Sequence, residues 1–571
     1  MNLVIKLKKI IPNKFNKELL IMLFILFIGI LLEIFSLSSL FPLISILFDD
    51  NFLVTNIYVN EIKNTFNLTN SSFIVCVGIG IFLLFLTKSL FLFFLSVKQN
   101  RIMYNLSASI YNYIFESYLN RDYYYHKSSN SSDILKVLQT EIPMFGALCF
   151  NLVTLIIETA LLCSIIFFLF YLNFIATISL ILFFGFFASL FFIITTKKLK
   201  IWGVIREQVD SSLIKLTMEG LGGIKLWKLL MKEDFFIRKI ESANLKKARV
   251  YANNNIVAQL PRYYFELIFV IGIIFFILIL FKSDKDFSYF LSTFSVFVAS
   301  MVRVIPSINK VVSSIQNIQF NLPVVDELYN HTQTFSSDRV REIQIKKSIP
   351  FNNKITIKNL SYSYDKSTII FENLNMEIEK GSMIGIVGGS GVGKSTFTDV
   401  LVGLLRQSSG EILVDNEDIS NCLSSWKRMI GYVPQNVYLT DDTIINNISF
   451  GEKSIDLDMI QTVIKDSMLS DHIDNLKEGL NTKVGERGSN LSGGQIQRIG
   501  IARSLYHNPS LLIFDEATSA LDSKTEEEIL KTLCVLRENG MTIIVISHND
   551  STLKYCDKKY KLTNKKFKDY N

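Results

Sequence analysis

The chain has 571 residues, which is too long for a single compact core, so at least two domains are expected. Its formal charge is +7, but most basic residues of the first half lie in loops beside apolar segments. That placement favours membrane topology over a nucleic-acid surface. The six cysteines form no C-x-x-C pair, which argues against a metal cluster or disulfide framework and favours a reducing compartment for the C-terminal half.

The N-terminal half contains six apolar segments long enough to cross a membrane as helices. A lysine-rich start without a nearby small-residue cleavage site predicts a retained cytoplasmic N-terminus rather than a signal peptide. The predicted membrane segments are residues 19–47, 73–97, 148–171, 174–195, 257–281 and 287–308.

Basic residues in the loops predict the orientation of these segments. The second-to-third loop carries Lys98, Arg101, Arg121, Lys127 and Lys136, and the fourth-to-fifth loop carries thirteen basic residues. The other two loops between the first four segments contribute one basic residue and none. By the positive-inside tendency, both termini and the two long loops lie in the cytoplasm. We expect a multi-pass protein of the bacterial inner (cytoplasmic) membrane.

The first external loop, residues 51–72, has apolar residues at Val54, Tyr58, Ile62 and Phe66. This spacing of four predicts a short helix on the outer membrane surface. A loop that packs on its own domain is an equal alternative.

Charged residues interrupt several apolar segments. Lys88 and Arg303 are basic, whereas Glu33 and Glu158 are acidic. A charge inside the bilayer needs a partner or a wet cavity. For the two cations, we favour a water-filled path that accepts an anion over internal pairs with the two acids.

Arg262 opens the fifth apolar segment and is a third candidate for the substrate path. Snorkelling to the interface, or a pair with Glu266 one helical turn later, is an equal alternative for this residue.

The two long cytoplasmic loops place aromatic residues at turns between helical patterns, in residues 119–126 and 220–228. Each stretch could press a short helix into a groove of the following domain. Ordinary packing between helices is the alternative. Residues 1–320 are therefore predicted to form a transmembrane domain, 321–350 a linker, and 351–571 a second domain.

The second domain opens with strand-like residues 354–358 and 360–364. Further on, a phosphate-binding loop fits G-x-x-x-x-G-K-[ST] without a mismatch. Residues 383–387 predict a buried strand before this loop, and 396–405 a helix after it. The predicted ATP-binding residues of the loop are Gly388, Gly389, Ser390, Gly391, Val392, Gly393, Lys394, Ser395 and Thr396.

An apolar run at residues 510–514 ends in two acids, Asp515 and Glu516. A buried strand that delivers carboxylates to its C-terminal edge can hold Mg²⁺ beside a phosphate loop. Asp515, together with the Ser395 hydroxyl, is the predicted Mg²⁺ ligand. Glu516 is predicted to orient or deprotonate the attacking water. The alternative, a strand end followed by a helix cap, is disfavoured by the phosphate loop upstream.

The pentapeptide Leu491, Ser492, Gly493, Gly494 and Gln495 makes the resemblance specific. With it, the chain resembles an ABC transporter over nearly its whole length. The resemblance implies that this signature binds ATP, that Gln435 is a catalytic glutamine that also contacts Mg²⁺, and that His548 is the catalytic switch histidine. It further implies an ATP-binding aspartate at Asp522, adenine stacking on Tyr364 and an exporter X-loop at Glu486.

The resemblance also implies a fold: a transmembrane domain of six helices, followed by an α/β P-loop nucleotide-binding domain with a helical subdomain. In this family the signature completes the ATP site of a second copy, so a homodimer that uses ATP and Mg²⁺ is expected. The order of domains resembles type IV exporters. Asn549 and Asp550 depart from the family's usual Arg-Leu after the switch histidine, so that loop could make different contacts.

Short stretches around Arg262, residues 302–307 and the signature are similar to bacterial lipid-linked oligosaccharide flippases of the PglK type. The expected function is ATP-driven flipping of a polyprenyl diphosphate glycan, with membrane lipid as a further partner. Cationic positions suit its anionic head, and the external loop could hold its tail. The alternatives are export of a lipid A-type lipid or a hydrophobic peptide. An ABC ATPase that only gates a partner is disfavoured by Glu516 and the six segments.

Overall fold

The computed structural model describes residues 3–39, 65, 69–172, 174–281, 287–337, 350–364, 368–517, 523–548 and 552–570. The chain divides into two compact units. The first comprises Met1–Arg121 and Ser129–Arg339, and the second comprises Asp122–Ser128 and Val340–Asn571. A short segment between two long helices therefore belongs with the C-terminal unit.

Long helices make up the first unit. Each of the longest helices contains a stretch rich in Leu, Ile and Phe that is long enough to cross a membrane. The helices are α1 (Leu3–Ile10), α2 (Lys14–Ser38), α3 (Asn70–Leu119), α5 (Ser131–Lys136), α6 (Ile142–Leu172), α7 (Phe174–Gly222), α8 (Ile224–Leu230), α9 (Glu233–Phe281), α10 (Phe287–Asn321) and α11 (Pro323–Ser337). A single π-helical turn, Val137–Glu141, joins α5 to α6. Helix α4 (Tyr123–Ser128) lies between α3 and α5 in sequence.

Many large apolar side chains of these helices point outward. Phe24, Phe82, Phe93, Phe167 and Phe186 are each more than half exposed. A helix can present such side chains because the lipid is its solvent and its backbone bonds are satisfied internally. By length and composition, five helices in the described part of the chain can cross a membrane, in Lys14–Ser36, Ser72–Leu119, Ser131–Tyr171, Thr177–Gly222 and Glu233–Ile274.

The sixth predicted segment, residues 287–308, falls in α10. The side chains of residues 287–297 are outside the described set, so the count of six spans stays a prediction. The predicted linker, residues 321–350, contains α11, whose Val324, Val325 and Leu328 are fully buried in the helical unit. Most of the predicted external surface helix lies outside the described residues, as do residues 40–47 of the first segment.

The second unit mixes strands and helices. Its strands are β1 (Lys354–Ser363), β2 (Ile369–Glu379), β3 (Met383–Val387), β4 (Ser409–Val414), β5 (Glu417–Asp418), β6 (Ile430–Val433), β7 (Leu511–Asp515), β8 (Thr542–Ser547), β9 (Lys558–Thr563) and β10 (Lys566–Asp569). Its helices, besides α4, are α12 (Lys394–Leu401), α13 (Leu423–Arg428), α14 (Ile444–Ile448), α15 (Leu457–Asp466), α16 (Ser470–Asp474), α17 (Gly493–Leu505) and α18 (Ser523–Glu538).

Among the described residues, these strands form two sheets. An antiparallel sheet has the order β2-β1-β4-β5. Strand β1 joins the two strand-like runs predicted from the sequence, and its register shifts around Asn359, which has a φ of 48°. The residue in the left-handed region marks a bulge that lets one strand change its twist.

The other sheet has the order β10-β9-β3-β8-β7-β6, with parallel pairing from β9 to β6. Every residue of β3, β7 and β8 is buried. Such continuous burial is typical of parallel strands covered on both faces, and it places their C-terminal ends together at one edge. The phosphate loop follows β3, the two acids end β7, and His548 follows β8. The fold therefore brings the three predicted stretches to one edge.

Candidate functional site

The loop between β3 and α12 has no room for side chains at two of its glycines. A Cβ on Gly388 would lie 2.9 Å from Val392 Cγ2 and 3.0 Å from the Leu562 carbonyl oxygen. Gly393 has a φ of 106°, and a Cβ there would lie 2.5 Å from Ile370 Cγ2. The backbone can thus curl tightly and turn its N–H groups inward, as an anion cradle requires.

Lys394 provides the positive charge of this cradle. Its side chain is buried, and its ammonium donates to the carbonyl oxygens of Gly388 at 2.8 Å and Gly389 at 3.2 Å. The same ammonium lies 3.0 Å from Glu516 Oε1. Ser395, the next residue, is exposed. A buried ammonium beside a glycine-rich loop fits a phosphate group.

Asp515 ends β7 and is buried, with Tyr432 beside it. The Tyr432 hydroxyl donates to Asp515 Oδ2 at 3.0 Å. Burial raises the pKa of Asp515, the neighbouring Glu516 charge raises it further, and the Tyr432 hydrogen bond opposes the rise. Burial also raises the pKa of Tyr432, so the phenol stays a neutral donor. A bound cation would favour the ionised carboxylate, so Asp515 suits a Mg²⁺ ligand.

Glu516 adopts a left-handed backbone, with a φ of 48°. Its N–H donates to the Ile546 carbonyl of the neighbouring strand β8. The carboxylate accepts a hydrogen bond from Gln435 Nε2 at 3.3 Å and lies 4.0 Å from His548 Nδ1. The structure thus brings together all three predicted catalytic residues and Lys394.

The signature residues begin helix α17. Ser492 is the N-cap, its hydroxyl accepts from the Gln495 N–H, and the Gln495 side chain accepts from the Ser492 N–H. This reciprocal pair is a capping box. Gln495 Nε2 also contacts His472 Nδ1 at 3.0 Å, and burial lowers the pKa of that histidine, so its neutral ring can accept the bond. Ser492 and Gly493 are exposed, which leaves the positive end of α17 accessible to an anion.

Glu486, which was predicted to belong to an exporter X-loop, starts a 3-10 turn just before the signature. Asp522 lies outside the described residues, as do Asn549 and Asp550. Their predicted roles stay predictions.

Tyr364 makes contacts that its sequence position did not reveal. Its hydroxyl lies 3.0 Å from Thr396 Oγ1 and accepts from Lys127 Nζ of α4 at 2.9 Å. Lys127 also pairs with Asp399 of α12 at 3.2 Å. Burial raises the pKa of Asp399, and the hydrogen bond and charge of Lys127 oppose the rise. Helix α4 thus contacts this domain, as predicted for residues 119–126, but Lys127 and Asp399 were not among the predicted site residues.

In the helical unit, Lys88 and Arg303 share one carboxylate. Arg303 Nε donates to Glu33 Oε1 at 2.9 Å, and Lys88 Nζ lies 3.5 Å from the same oxygen. Glu33 is completely buried. The internal pairs with Glu33, which the sequence favoured less than a water-filled anion path, are therefore present for both cations. Among the described residues of this cluster, two cations still face one acid, so one positive charge is in excess.

Arg262 forms the predicted pair with Glu266, 3.6 Å apart, and both side chains are more than half exposed. It lines a cavity of about 290 Å³ between α9 and α10, together with Gln259, Asn309 and Lys310. Lys310 Nζ donates to Glu158 Oε1 at 2.6 Å and keeps 55% of its side chain exposed. Lys310 was not predicted as a substrate-path residue, because it lies just beyond the predicted sixth segment.

The family comparison decides the class of the C-terminal domain. The ABC transporter family model matches residues 371–519, a range that contains the phosphate loop, the signature and both β7 acids. This range is therefore similar to the ABC transporter family.

Two relatives of this chain are toxin translocation proteins by name. The alpha-hemolysin translocation ATP-binding protein HlyB of Escherichia coli is 41% identical over 209 residues, which cover 36% of this chain and 29% of that protein. The leukotoxin translocation ATP-binding protein LktB of Mannheimia glucosida is 42% identical over 221 residues, 38% of this chain and 31% of that protein. The chain therefore matches less than a third of the length of these relatives.

A solved structure of a bacterial Atm1-family ABC exporter with ATP bound is similar to nearly the whole chain. The TM-score is 0.76, the identity is 21%, and the match covers 97% of this chain and 95% of that one. The chain thus shares a type IV-like exporter fold with that structure. The fold and the five apolar helices in the described residues indicate a multi-pass membrane protein.

Proposed function

We propose that the protein is an ATP-driven exporter that works as a homodimer in the bacterial inner membrane. The observation that carries this proposal is the convergence of Lys394, Gln435 and His548 on the Glu516 carboxylate, in a chain with several apolar helices. A lysine in a glycine-rich loop, with an acid and a histidine from two neighbouring strand ends, can hold a phosphate and orient the water that attacks it.

Each residue has a specific task in this proposal. Lys394 and the loop N–H groups hold the phosphates, while Ser395, Gln435 and Asp515 would hold Mg²⁺. The bound ion would neutralise charge on the phosphate oxygens. During the reaction, the Glu516 carboxylate leaves Lys394 and contacts the attacking water instead. Gln435 and His548 keep this carboxylate in place. Tyr364 stacks on the adenine.

Dimerisation follows from the exposed end of α17. Ser492 and Gly493 can offer donors to a phosphate held by a second copy. Helix α8 also favours a partner, because it has no buried residue and its Ile224, Leu226 and Leu229 are each half or more exposed. We infer that this apolar surface docks on the second copy.

For the cargo, we propose an amphipathic molecule with an anionic head, and a lipid-linked oligosaccharide in particular. The cavity beside Arg262 and Lys310 offers two cations, two amides and room for a phosphate-bearing head. A second cavity of about 400 Å³ is almost entirely apolar and lies between α6, α7 and α10, lined by residues such as Phe184, Phe192 and Met301. It suits a lipid tail.

A hydrophobic peptide is the second candidate cargo. HlyB and LktB, by their names, translocate toxins, and they are 41–42% identical to this chain in the matched part. The apolar cavity would accept hydrophobic side chains, whereas Arg262 of α9 and Lys310 of α10 have no evident use with a neutral peptide. A lipid A-type lipid, which has an anionic head, would use both cavities.

Reconstitution tests the function. The purified chain in liposomes should hydrolyse ATP and move a lipid-linked glycan across the bilayer, and Glu516→Gln should reduce both rates by about 10² or more, because the water loses its base. Glu527→Gln is the matched control, since Glu527 is exposed and pairs with Lys531 one helical turn away. Transport without ATP hydrolysis in the wild-type protein would refute the proposal.

The same liposomes decide the cargo. Lipid-linked glycan, lipid A-type lipid and a hydrophobic peptide should each be tried with wild-type protein and with Arg262→Gln/Lys310→Gln. Loss of glycan flipping in this variant, with ATPase activity retained, supports the anionic head. Peptide transport that is equal in both proteins would exclude a role of these cations and favour the peptide.

A further inference from the structure

Lys127 of helix α4 contacts both Tyr364 and α12, the helix that follows the phosphate loop. Lys127 Nζ lies 2.9 Å from the Tyr364 hydroxyl oxygen, 3.2 Å from Asp399 Oδ2 and 5.3 Å from the centre of the Tyr364 ring. Asp399 belongs to α12, which starts at Lys394. A single ammonium therefore touches both sides of the nucleotide site, although it is 237 residues from Tyr364 in sequence.

The hydrogen bonds have a definite direction. An ammonium can only donate, so the Tyr364 oxygen accepts from Lys127. The hydroxyl hydrogen is then free to reach Thr396 Oγ1, 3.0 Å away, on the residue after Ser395. Tyr364 is thus held from two directions through one oxygen atom.

Two further rings limit the orientation of Tyr364. The Tyr124 ring of α4 stacks on it, with centroids 6.1 Å apart and planes at 28°, and Tyr362 meets it edge-on at 5.2 Å. The ring of Tyr364 can move only if α4 moves or if these contacts break.

We propose that Lys127 is a positioning residue for the purine site: it fixes the ring of Tyr364 for stacking on the base and attaches α4 to the phosphate-loop helix through Asp399. The inference rests on the proposed function, in which Tyr364 stacks on adenine. It adds a residue from the cytoplasmic loop of the helical half to the determinants of ATP affinity.

A reciprocal effect follows from this arrangement. Helix α4 is covalently joined to α3 and α5, so a displacement of those helices pulls on the contacts of Tyr364. Displacement of α4 should therefore weaken ATP binding. Because coupling free energy is reciprocal, bound ATP should make displacement of α4 less favourable by the same amount.

The test uses the full-length protein in liposomes and measures ATPase rates against ATP concentration. Lys127→Met keeps the apolar stem and removes the donor. We expect its KM for ATP to rise about threefold to tenfold, the effect of losing one hydrogen bond that orders a binding residue, with kcat changed by less than about twofold. Lys127→Arg should stay near the wild-type KM. Lys453→Met is the control for a lost surface charge, because Lys453 is exposed in a bend.

A double-mutant cycle separates positioning from simple docking. If Lys127 acts mainly through Tyr364, Lys127→Met should raise KM much less in a Tyr364→Ala background than in the wild-type protein. Asp399→Asn, which leaves the Lys127–Tyr364 bond intact, should raise KM less than Lys127→Met does. Thermal unfolding of each variant checks that the fold persists.

Two results would overturn the proposal. One is an unchanged KM in Lys127→Met while the wild-type protein hydrolyses ATP. The other is an equal increase in KM in the wild-type and Tyr364→Ala backgrounds, which would assign the effect to the Asp399 pair alone. A wild-type protein without ATPase activity would instead refute the proposed function.

Discussion

Two consecutive acids at the end of β7 have different surroundings. Asp515 faces Tyr432, whereas Glu516 faces Lys394, Gln435 and His548. The left-handed backbone of Glu516 makes this separation possible, at a typical cost of about 1–3 kcal/mol. Sequence motifs predicted a different role for each acid, Mg²⁺ binding for Asp515 and activation of the attacking water for Glu516. They could not predict the backbone conformation or Tyr432, because both depend on how β6 and β8 flank β7.

Removing the Tyr432 hydroxyl should shift the pH dependence of ATP hydrolysis. The phenol donates to ionised Asp515 and so lowers the pKa of that carboxyl. In Tyr432→Phe the pKa of Asp515 is higher, so the carboxylate is lost at a higher pH as the solution is acidified. The acid limb of the profile of kcat/KM against pH should therefore move to higher pH.

Tyr438→Phe is the matched control for this profile, since Tyr438 is 64% exposed. Its acid limb should coincide with that of the wild-type protein. An unshifted limb in Tyr432→Phe would mean that Asp515 does not limit the activity at low pH.

For single strands and helices, the local sequence pattern predicted the features that residues adjacent in the chain determine, such as where an element begins and ends. Strand β3 has the predicted bounds, residues 383–387. Helix α12 begins two residues before the predicted start and ends at Leu401, and Gly403, with a φ of 73°, follows its last turn. The contact of α4 with Asp399 joins residues 272 positions apart, so no local pattern contains it.

The loop between β3 and α12 should not tolerate a methyl group at Gly393. Gly393→Ala combines a disfavoured φ with a contact of 2.5 Å to Ile370, so the cradle must open. We expect Mg-ATP binding to fall at least about tenfold, measured by equilibrium binding of a fluorescent ATP analogue.

Gly451→Ala is the control, because Gly451 has a φ of 85° but nothing within 4 Å of its added Cβ. It should lose some stability and keep its affinity for ATP. Equal loss of affinity in both variants would mean that backbone strain, rather than the shape of the cradle, is responsible.

The whole molecule combines a half whose outer surface is apolar with a half whose core is a buried parallel sheet. Composition and apolar run length were sufficient to predict this division. The sharing of Glu33 by Lys88 and Arg303 was not predictable in the same way, because it depends on how three helices are rotated about their axes. Lys310 was missed for a related reason, since its cavity is formed by two helices together.

If each ATP site needs two copies, two inactive variants should restore activity when they are mixed. Lys394→Met disables the phosphate loop, and Ser492→Asp keeps an N-cap residue on α17 but brings a carboxylate toward the phosphate. Each homodimer should be inactive. Random mixing makes about half of the dimers mixed, each with one intact site of two, so co-expressed chains should show about a quarter of the wild-type ATPase rate.

The control for the mixing experiment is co-expression of Lys394→Met with Lys394→Met/Ser492→Asp, in which no dimer has an intact site. Recovery only in the first mixture supports composite sites. Full activity of Ser492→Asp alone would show that the signature serine is dispensable and would remove the reason for two copies.

The carboxylate shared by Lys88 and Arg303 has a consequence for biosynthesis. Glu33 precedes Arg303 by 270 residues, so its helix enters the bilayer long before the ribosome has made that arginine. Lys88 arrives with the next long helix, α3, and can neutralise the acid during this interval. The lysine can therefore serve as an early counter-ion for Glu33 while the rest of the bundle is translated.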